Sequence, residues 1–320
     1  MNIFRILLLA ALSVPLVALA QAWPAKPVKM IVAYPPGGGT NSVARLLAEH
    51  LGKSLGQQVI VENRPGAGGR VGTVSVVRAD PDGYTLLFAS DAELTIAPVT
   101  TKSLPYDPLQ DLQPISMAGR GPYVLATHAG FAPNTLAELI GHAKANPNKV
   151  NFGSFGRGSQ NHILDERFKA AAGISTTHIP YKGSGPLITD LVGGQVDYTF
   201  ATPAATLNLA RGGKLKVLAV AAPQRLARAD SIVTMTEAGL AGFSGGSWYA
   251  VLAPANTPSA VITRLNTEIG RAMNGPEMRN ALEELSVVPN SSTPAELTEL
   301  IRSETASLRQ LAARIGLEAE

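Results

Sequence analysis

No cysteine occurs among the 320 residues, so neither a disulfide nor a lipid-modified N-terminal cysteine is available and the fold must rest on its core. Aromatic residues are few, with two tryptophans, seven tyrosines and eight phenylalanines, and no run of lysine or arginine accompanies them. Without Arg5 of the leader, 26 basic residues face 24 acidic ones. Charge so balanced and scattered offers no basic stripe, and no nucleic-acid partner is expected. The five histidines, His50, His128, His142, His162 and His178, show no metal-ligand spacing with carboxylate partners, so neither a metal nor a cofactor is expected. His162, beside a glycine turn, is the one that draws attention.

What the N-terminus does contain is MNIFRILLLAALSVPLVALAQA: one positive charge at Arg5, an apolar stretch, then small residues at Ala18, Ala20 and Ala22. This is the pattern of a secretory signal peptide, with cleavage after Ala20 or Ala22. The apolar stretch is short for a membrane anchor and contains Pro15. No later segment reads as transmembrane. A soluble, monomeric periplasmic chain of about 298 residues is expected, enough for two domains of ordinary size.

Strand-like runs recur at 28–34, 58–63, 84–90, 123–128, 175–181, 196–200 and 215–222, with helical patterns between them at 41–55, 70–79, 135–146, 159–173, 185–193 and 203–211. Such alternation predicts an α/β fold with parallel sheets covered by helices. After WYAVLAPA (248–255) only helices are predicted, at 258–273, 276–286 and 294–315. The first helix shows the logic: Val43, Leu46, Leu47, Leu51 and Leu55 share helical spacing, Thr40 or Asn41 supplies the cap and Gly56 the stop. The expected organisation is a leader (1–22), a first lobe begun by 23–124, a second lobe (125–221), and a return to the first lobe with the C-terminal helices (222–320), a ligand cleft lying between the lobes. Pro105, Pro108, Pro114 and Pro122 mark an irregular approach to the first crossing.

Two stretches carry chemistry. In AYPPGGGTNSVARLLAEHLG (33–52) three glycines join an apolar run to an amphipathic one, and in NFGSFGRGSQNHILDERFKAAAG (151–173) a glycine-spaced turn again leads into a helix, capped by Ser159. Amides at a helix start lack intrahelical partners and the aligned peptide dipoles make that end partly positive, so a glycine turn lets an anion approach. A tight turn with no ligand is the alternative. One such start per lobe can hold the two ends of a dicarboxylate, with Gly38, Gly39, Gly156 and Gly158 as backbone donors and Asn41, Ser90 and Ser159 as side-chain donors. Leu51-Gly52-Lys53-Ser54 lacks the earlier glycine of a P-loop. Gly242-Phe243-Ser244-Gly245-Gly246 matches the G-x-S-x-G of serine hydrolases, but no histidine follows it and a strand stands where the helix belongs. An exported hydrolase using Ser244 is the alternative from another class.

The stretches AYPPGGGTNSVARLLAEHL, LGQQVIVENRPGAGGRVGT, ADPDGYTLLFAS, NFGSFGRGSQNH, HIPYKGSGPLITDLVGGQVDYTF and TEAGLAGFSGGSWYAVLAPANTP, in this order over nearly the whole mature chain, resemble the substrate-binding receptors of tripartite tricarboxylate transporters, often called Bug receptors. The resemblance implies a type II periplasmic-binding-protein fold, no catalysis, no cofactor, a small organic carboxylate as ligand and a two-subunit membrane permease as partner; a binding protein serving a sensor is a variant of the same reading. It places the ligand between the loop that holds Pro36, Gly38, Gly39 and Asn41, beside Tyr34, and the loop that holds Phe155, Gly156, Gly158 and Ser159. Ser90 with Asp91, Tyr181 and Thr202 are carried over too. Ser90 and Thr202 fit caps equally well, Tyr181 and Trp248 fit core packing, and a buried Asp91 would favour a cationic or hydroxyl-bearing ligand. Members usually carry aspartate where this chain has Asn41, a change expected to suit a more anionic ligand.

Overall fold

The computed structural model describes residues 23–37 and 39–319; the expected signal peptide lies outside them. In chain order the strands are β1 (Val28–Val32), β2 (Val59–Asn63), β3 (Thr85–Ser90), β4 (Leu112–Pro122), β5 (Val124–His128), β6 (Asn151–Ser154), β7 (Thr177–Pro180), β8 (Tyr198–Ala201), β9 (Leu215–Val220) and β10 (Gly246–Pro254). The helices are α1 (Gly39–Leu55), α2 (Arg70–Val77), α3 (Ala97–Thr100), α4 (Leu136–Ala145), α5 (Gln160–Ala172), α6 (Ser184–Val192), α7 (Pro203–Arg211), α8 (Ser259–Asn274), α9 (Pro276–Glu284) and α10 (Pro294–Ile315). A π-helical stretch, Ala92–Ile96, runs directly into α3. None of the described helices is long and apolar enough to cross a membrane.

Two five-stranded sheets, ordered β2-β1-β3-β10-β4 and β7-β6-β8-β5-β9, form the two lobes. β1 pairs parallel with β2 and β3, and β6 parallel with β7 and β8, whereas β10 and β5 run antiparallel to both their neighbours. Side chains alternate across a strand, so Met30 and Val32 enter one core with Val43, Leu47 and Leu51 of α1 and Leu265 of α8, while Ile31 enters another with Trp248 and Leu297 and Ile301 of α10. Burial on both faces explains why VKMIV, apart from the exposed Lys29, reads as an apolar run. The second lobe centres on Phe152, Phe168, Tyr198 and Phe200, all fully buried, with Phe168 edge-on to Phe200 at 5.5 Å and 79°.

Tyr123 alone separates β4 from β5, and its amide donates to the carbonyl of Gly245 (3.1 Å). The two crossing segments thus lie side by side. At Gly246, with φ +148°, a Cβ would stand 2.3 Å from the carbonyl oxygen of Gly121 and 2.6 Å from Cα of Pro122, so only glycine fits there. Between β9 and β10, Leu226, Ala229, Met235 and Phe243 still pack on the second lobe, so the return crossing sits at Gly245–Gly246 instead of residue 222. Pro105 and Pro108 lie in the irregular segment before β4, as expected, whereas Pro114 and Pro122 belong to the strand itself. β4 is an edge strand, where a missing amide costs no ladder bond, so Pro114 and Pro122 are accommodated.

Candidate functional site

Each sheet presents one strand–glycine turn–helix unit at an equivalent place. β1 lies between β2 and β3, and β6 between β7 and β8, so α1 and α5 both start where the chain's connections diverge to opposite sides of a strand. That topological switch point is where open α/β sheets bind ligands, at the carboxyl ends of the strands.

The first turn is open. Pro36, Gly37 and Gly39 are exposed, and Gly37 takes φ +94° with nothing near a Cβ built on it. Gly38 lies outside the described residues. A Cβ on Gly39 would meet the Tyr249 hydroxyl at 3.4 Å. Asn41, expected as a possible cap, is instead inside the first turn of α1, and its buried Oδ1 accepts from Asn63 Nδ2 (2.9 Å), which also donates to the carbonyl of Tyr34 (2.8 Å). The helix begins two residues earlier than the side-chain pattern shows because glycine and threonine carry no apolar periodicity.

The second turn is stapled from within. The Phe155 amide donates to Asn161 Oδ1 (3.0 Å), that of Gly156 to Ser154 Oγ (3.1 Å), that of Gly158 to His162 Nδ1 (3.0 Å) and that of Ser159 to the carbonyl of Gly156 (3.1 Å). Gly156 and Gly158 were expected as anion donors; their amides are occupied. Ser159 stands at the N-cap position but makes no side-chain cap bond, because its hydroxyl goes to the Gly156 carbonyl at 2.6 Å. Behind the turn the rings of His162 and His178 stack at 3.9 Å and 11°, and His178 Nε2 lies 2.6 Å from Ser154 Oγ. Burial pushes both imidazoles down to about 4, with Lys169 beside His162 and His162 beside His178 adding to it. His162 is therefore a neutral acceptor that shapes the loop.

Between the turns, Asp91 is 5% exposed. Ser247 donates to its Oδ1 (3.0 Å) and Gln160 donates to Oδ2 across the lobes, while Gln160 also donates to the carbonyl of Gly246 (2.6 Å) and accepts from the Tyr123 hydroxyl (2.9 Å). Desolvation, then the charge of Glu304, holds the Asp91 carboxyl well above the usual carboxylate range. The Ser90 hydroxyl donates to Glu93 Oε2 (2.7 Å) and its amide to the same oxygen (3.1 Å), so neither is spare. Glu93 is fully buried, its Oε1 has no partner, and desolvation pushes it up to about 7. Burial, with Glu93 next in effect, also raises the Tyr34 phenol.

The remaining expectations separate. Tyr181 packs in the second lobe with its hydroxyl on Asp190 Oδ2 (2.9 Å). Thr202 precedes α7, exposed, without a side-chain cap bond. Trp248 is buried in the first lobe and donates to Glu304 Oε2 (2.8 Å). Ser244 precedes a strand instead of opening a helix, and its carbonyl accepts from Arg167 (3.3 Å). Sequence reasoning missed Gln160, Asn161, Glu93 and Tyr249; the Ser-Gln-Asn-His run after the second turn was the available signal for the first two. Among the described residues no cluster of His, Asp and Glu is placed to hold a metal.

The chain matches the family model described as "Tripartite tricarboxylate transporter family receptor" over residues 43–317. It is 40% identical over 286 residues to Protein BugT of Bordetella pertussis, covering 89% of this chain and 88% of that protein. A solved R. palustris protein with adipate aligns with a TM-score of 0.79 at 29% identity, over 93% of this chain and 100% of the other. MatC from Rhodopseudomonas palustris with bound malate aligns with a TM-score of 0.72 at 29% identity, over 90% and 99%.

Proposed function

The chain belongs to the tripartite tricarboxylate transporter receptor family, and from that premise we propose that it is an exported, monomeric periplasmic receptor whose lobes close over a small organic carboxylate and deliver it to a two-subunit permease. The observation that carries this reading is the placement of both glycine turns at the switch points of their sheets. The adipate and malate bound to structural relatives support the ligand class.

One carboxylate end sits at the open start of α1, where the Gly39 backbone can be approached closely and the helix dipole assists. The other lies toward the first turn of α5. There Gly156 and Gly158 shape the loop while first-turn amides donate, and Phe155 and Tyr123, ring centroids 6.1 Å apart, form an apolar wall. Asp91 and Gln160 tie the closed lobes, and Thr202 and Tyr181 stand at the rim. A neutral Asn41 admits a more anionic ligand than an aspartate there would, and matched diacids and amino diacids titrated against Asn41→Asp test that point.

The test of the whole reading is a thermal-shift screen of mature protein against mono-, di- and tricarboxylates, then calorimetry on variants. Gly39→Val is expected to weaken the best carboxylate at least about tenfold, since it blocks approach to a charge-accepting backbone worth roughly 1.5–3 kcal/mol per hydrogen bond. Ser159→Ala should change little. No stabilisation by any carboxylate, or a larger loss at Ser159, would overturn it. Co-purification with the two-subunit permease separates delivery from sensing.

A further inference from the structure

A large cavity lies away from the glycine turns. It occupies about 1050 Å³ on the β4 and β9 edges of the sheets, beside the crossing strands, and shares only Asp91 with the expected site. Its inner wall is the Asp91–Gln160 contact between the lobes, and its outer rim carries a second cross-lobe contact, Arg228 to Glu284 at 3.0 Å. Arginine is the commonest charged residue of the lining. Arg225 and Arg228 already pair with Glu237 and Glu284, but Arg120, Arg167 and Arg279 have no carboxylate within ion-pair distance among the described residues. Arg120 belongs to the first lobe and Arg167 to α5 of the second. Both guanidiniums act on the same carboxylate, that of Glu304, which is held by the Trp248 indole at the cavity wall.

Five arginines face two carboxylates, Glu283 and Glu304, besides the buried Asp91, and two of the five are neutralised by their partners. An excess of positive charge remains. A guanidinium presents a planar fork that matches the two oxygens of a carboxylate or phosphate, and the concave, partly open cavity is of the order of a small-molecule site.

We propose that this rear cavity is a second ligand site, which takes a multivalent oxyanion between Arg120 of one lobe and Arg167 of the other. An anion held there touches both lobes, and the wall it lies against is the Asp91–Gln160 tie. Occupancy therefore biases the hinge, and by linkage the front ligand alters rear affinity by the same factor.

Calorimetry on the mature protein, with pyrophosphate and with citrate at matched ionic strength, tests the site. Saturable binding of at least one is expected, and the stronger of the two identifies phosphate or carboxylate chemistry. Arg120→Gln and Arg167→Gln should each weaken it about tenfold, as loss of a charged hydrogen bond does, while Glu304→Gln strengthens it by removing a competing charge. Both arginines are exposed, and circular dichroism checks that the variants fold. Gly39→Val, in the front cleft, should leave pyrophosphate binding intact, so failure of the rear site and failure of the receptor reading are distinguishable. No saturable binding of either anion, or binding undiminished in the double arginine variant, overturns the proposal.

Discussion

The two glycine turns look alike in sequence and differ in what holds them. The first keeps its backbone bare: Gly37 and Gly39 are exposed, and Gly37 adopts a left-handed conformation with open space around it. The second spends its amides on its own side chains, through Asn161, Ser154 and His162, and Gly158 is buried with Thr100 of the first lobe 3.2 Å from where a Cβ would be. Among the described residues, no side chain binds the amides of Gly37 or Gly39 in the first turn. The other is held by its own side chains, and preorganisation of this kind lowers the ordering cost of binding in general.

The sharpest way to break this contrast is to remove the staple. Asn161 is fully buried and satisfies the Phe155 amide and the Phe200 carbonyl, so Asn161→Ala strands both and should cost about 2–4 kcal/mol in urea unfolding. Gly37→Ala, which only adds left-handed strain, should cost about 1 kcal/mol. A smaller loss at Asn161 than at Gly37 contradicts the comparison.

The pH response sharpens it next. Glu93, behind the first turn, is raised from 4.5 to about 7, so its neutral form favours folding fully below about 4.5 and that stability is lost as pH rises through 7. Wild type should therefore lose stability relative to Glu93→Gln between pH 4.5 and 7. The His162–His178 pair, lowered from 6.5 to about 4, works in the opposite sense. Wild type should lose stability relative to His178→Asn as pH falls from 6.5 toward 4, the pair titrating as a unit. Urea midpoints of the variants across this range decide both signs, and the difference from wild type cancels the other titrating groups.

Gln160→Ala removes the tie between the turns. It should lower unfolding free energy by about 1 kcal/mol and enlarge the radius of gyration in small-angle scattering, whereas an unchanged radius would mean that Asp91 does not hold the lobes. Least of all, Thr202→Ala should move stability by under about 0.5 kcal/mol, since its hydroxyl makes no cap bond; a loss near 1 kcal/mol would reveal a cap.

Most helices were legible because their apolar spacing and stops are local: α7 and α10 run over the expected residues, and α8 and α9 differ by one or two at an end. The strands too were found where both faces are buried. β4 was not, because Pro114 and Pro122 signal a break unless the strand is known to be at an edge. In the site, the sequence located both turns but overstated the free donors of the second. Which amide an Asn161 or a His162 satisfies depends on loop conformation, and no spacing rule reveals it.

What the amino-acid order determined by itself is therefore the alternation of strands and helices, the position of the two glycine turns and the family, since these rest on periodicity and local backbone freedom. What only the tertiary structure decided is which turn stays open, where the lobes are tied and where the arginines gather. Arg120, Arg167 and Asp91 are far apart in the chain and acquire meaning through distance and burial, because hydrogen bonding and charge act through space across the hinge.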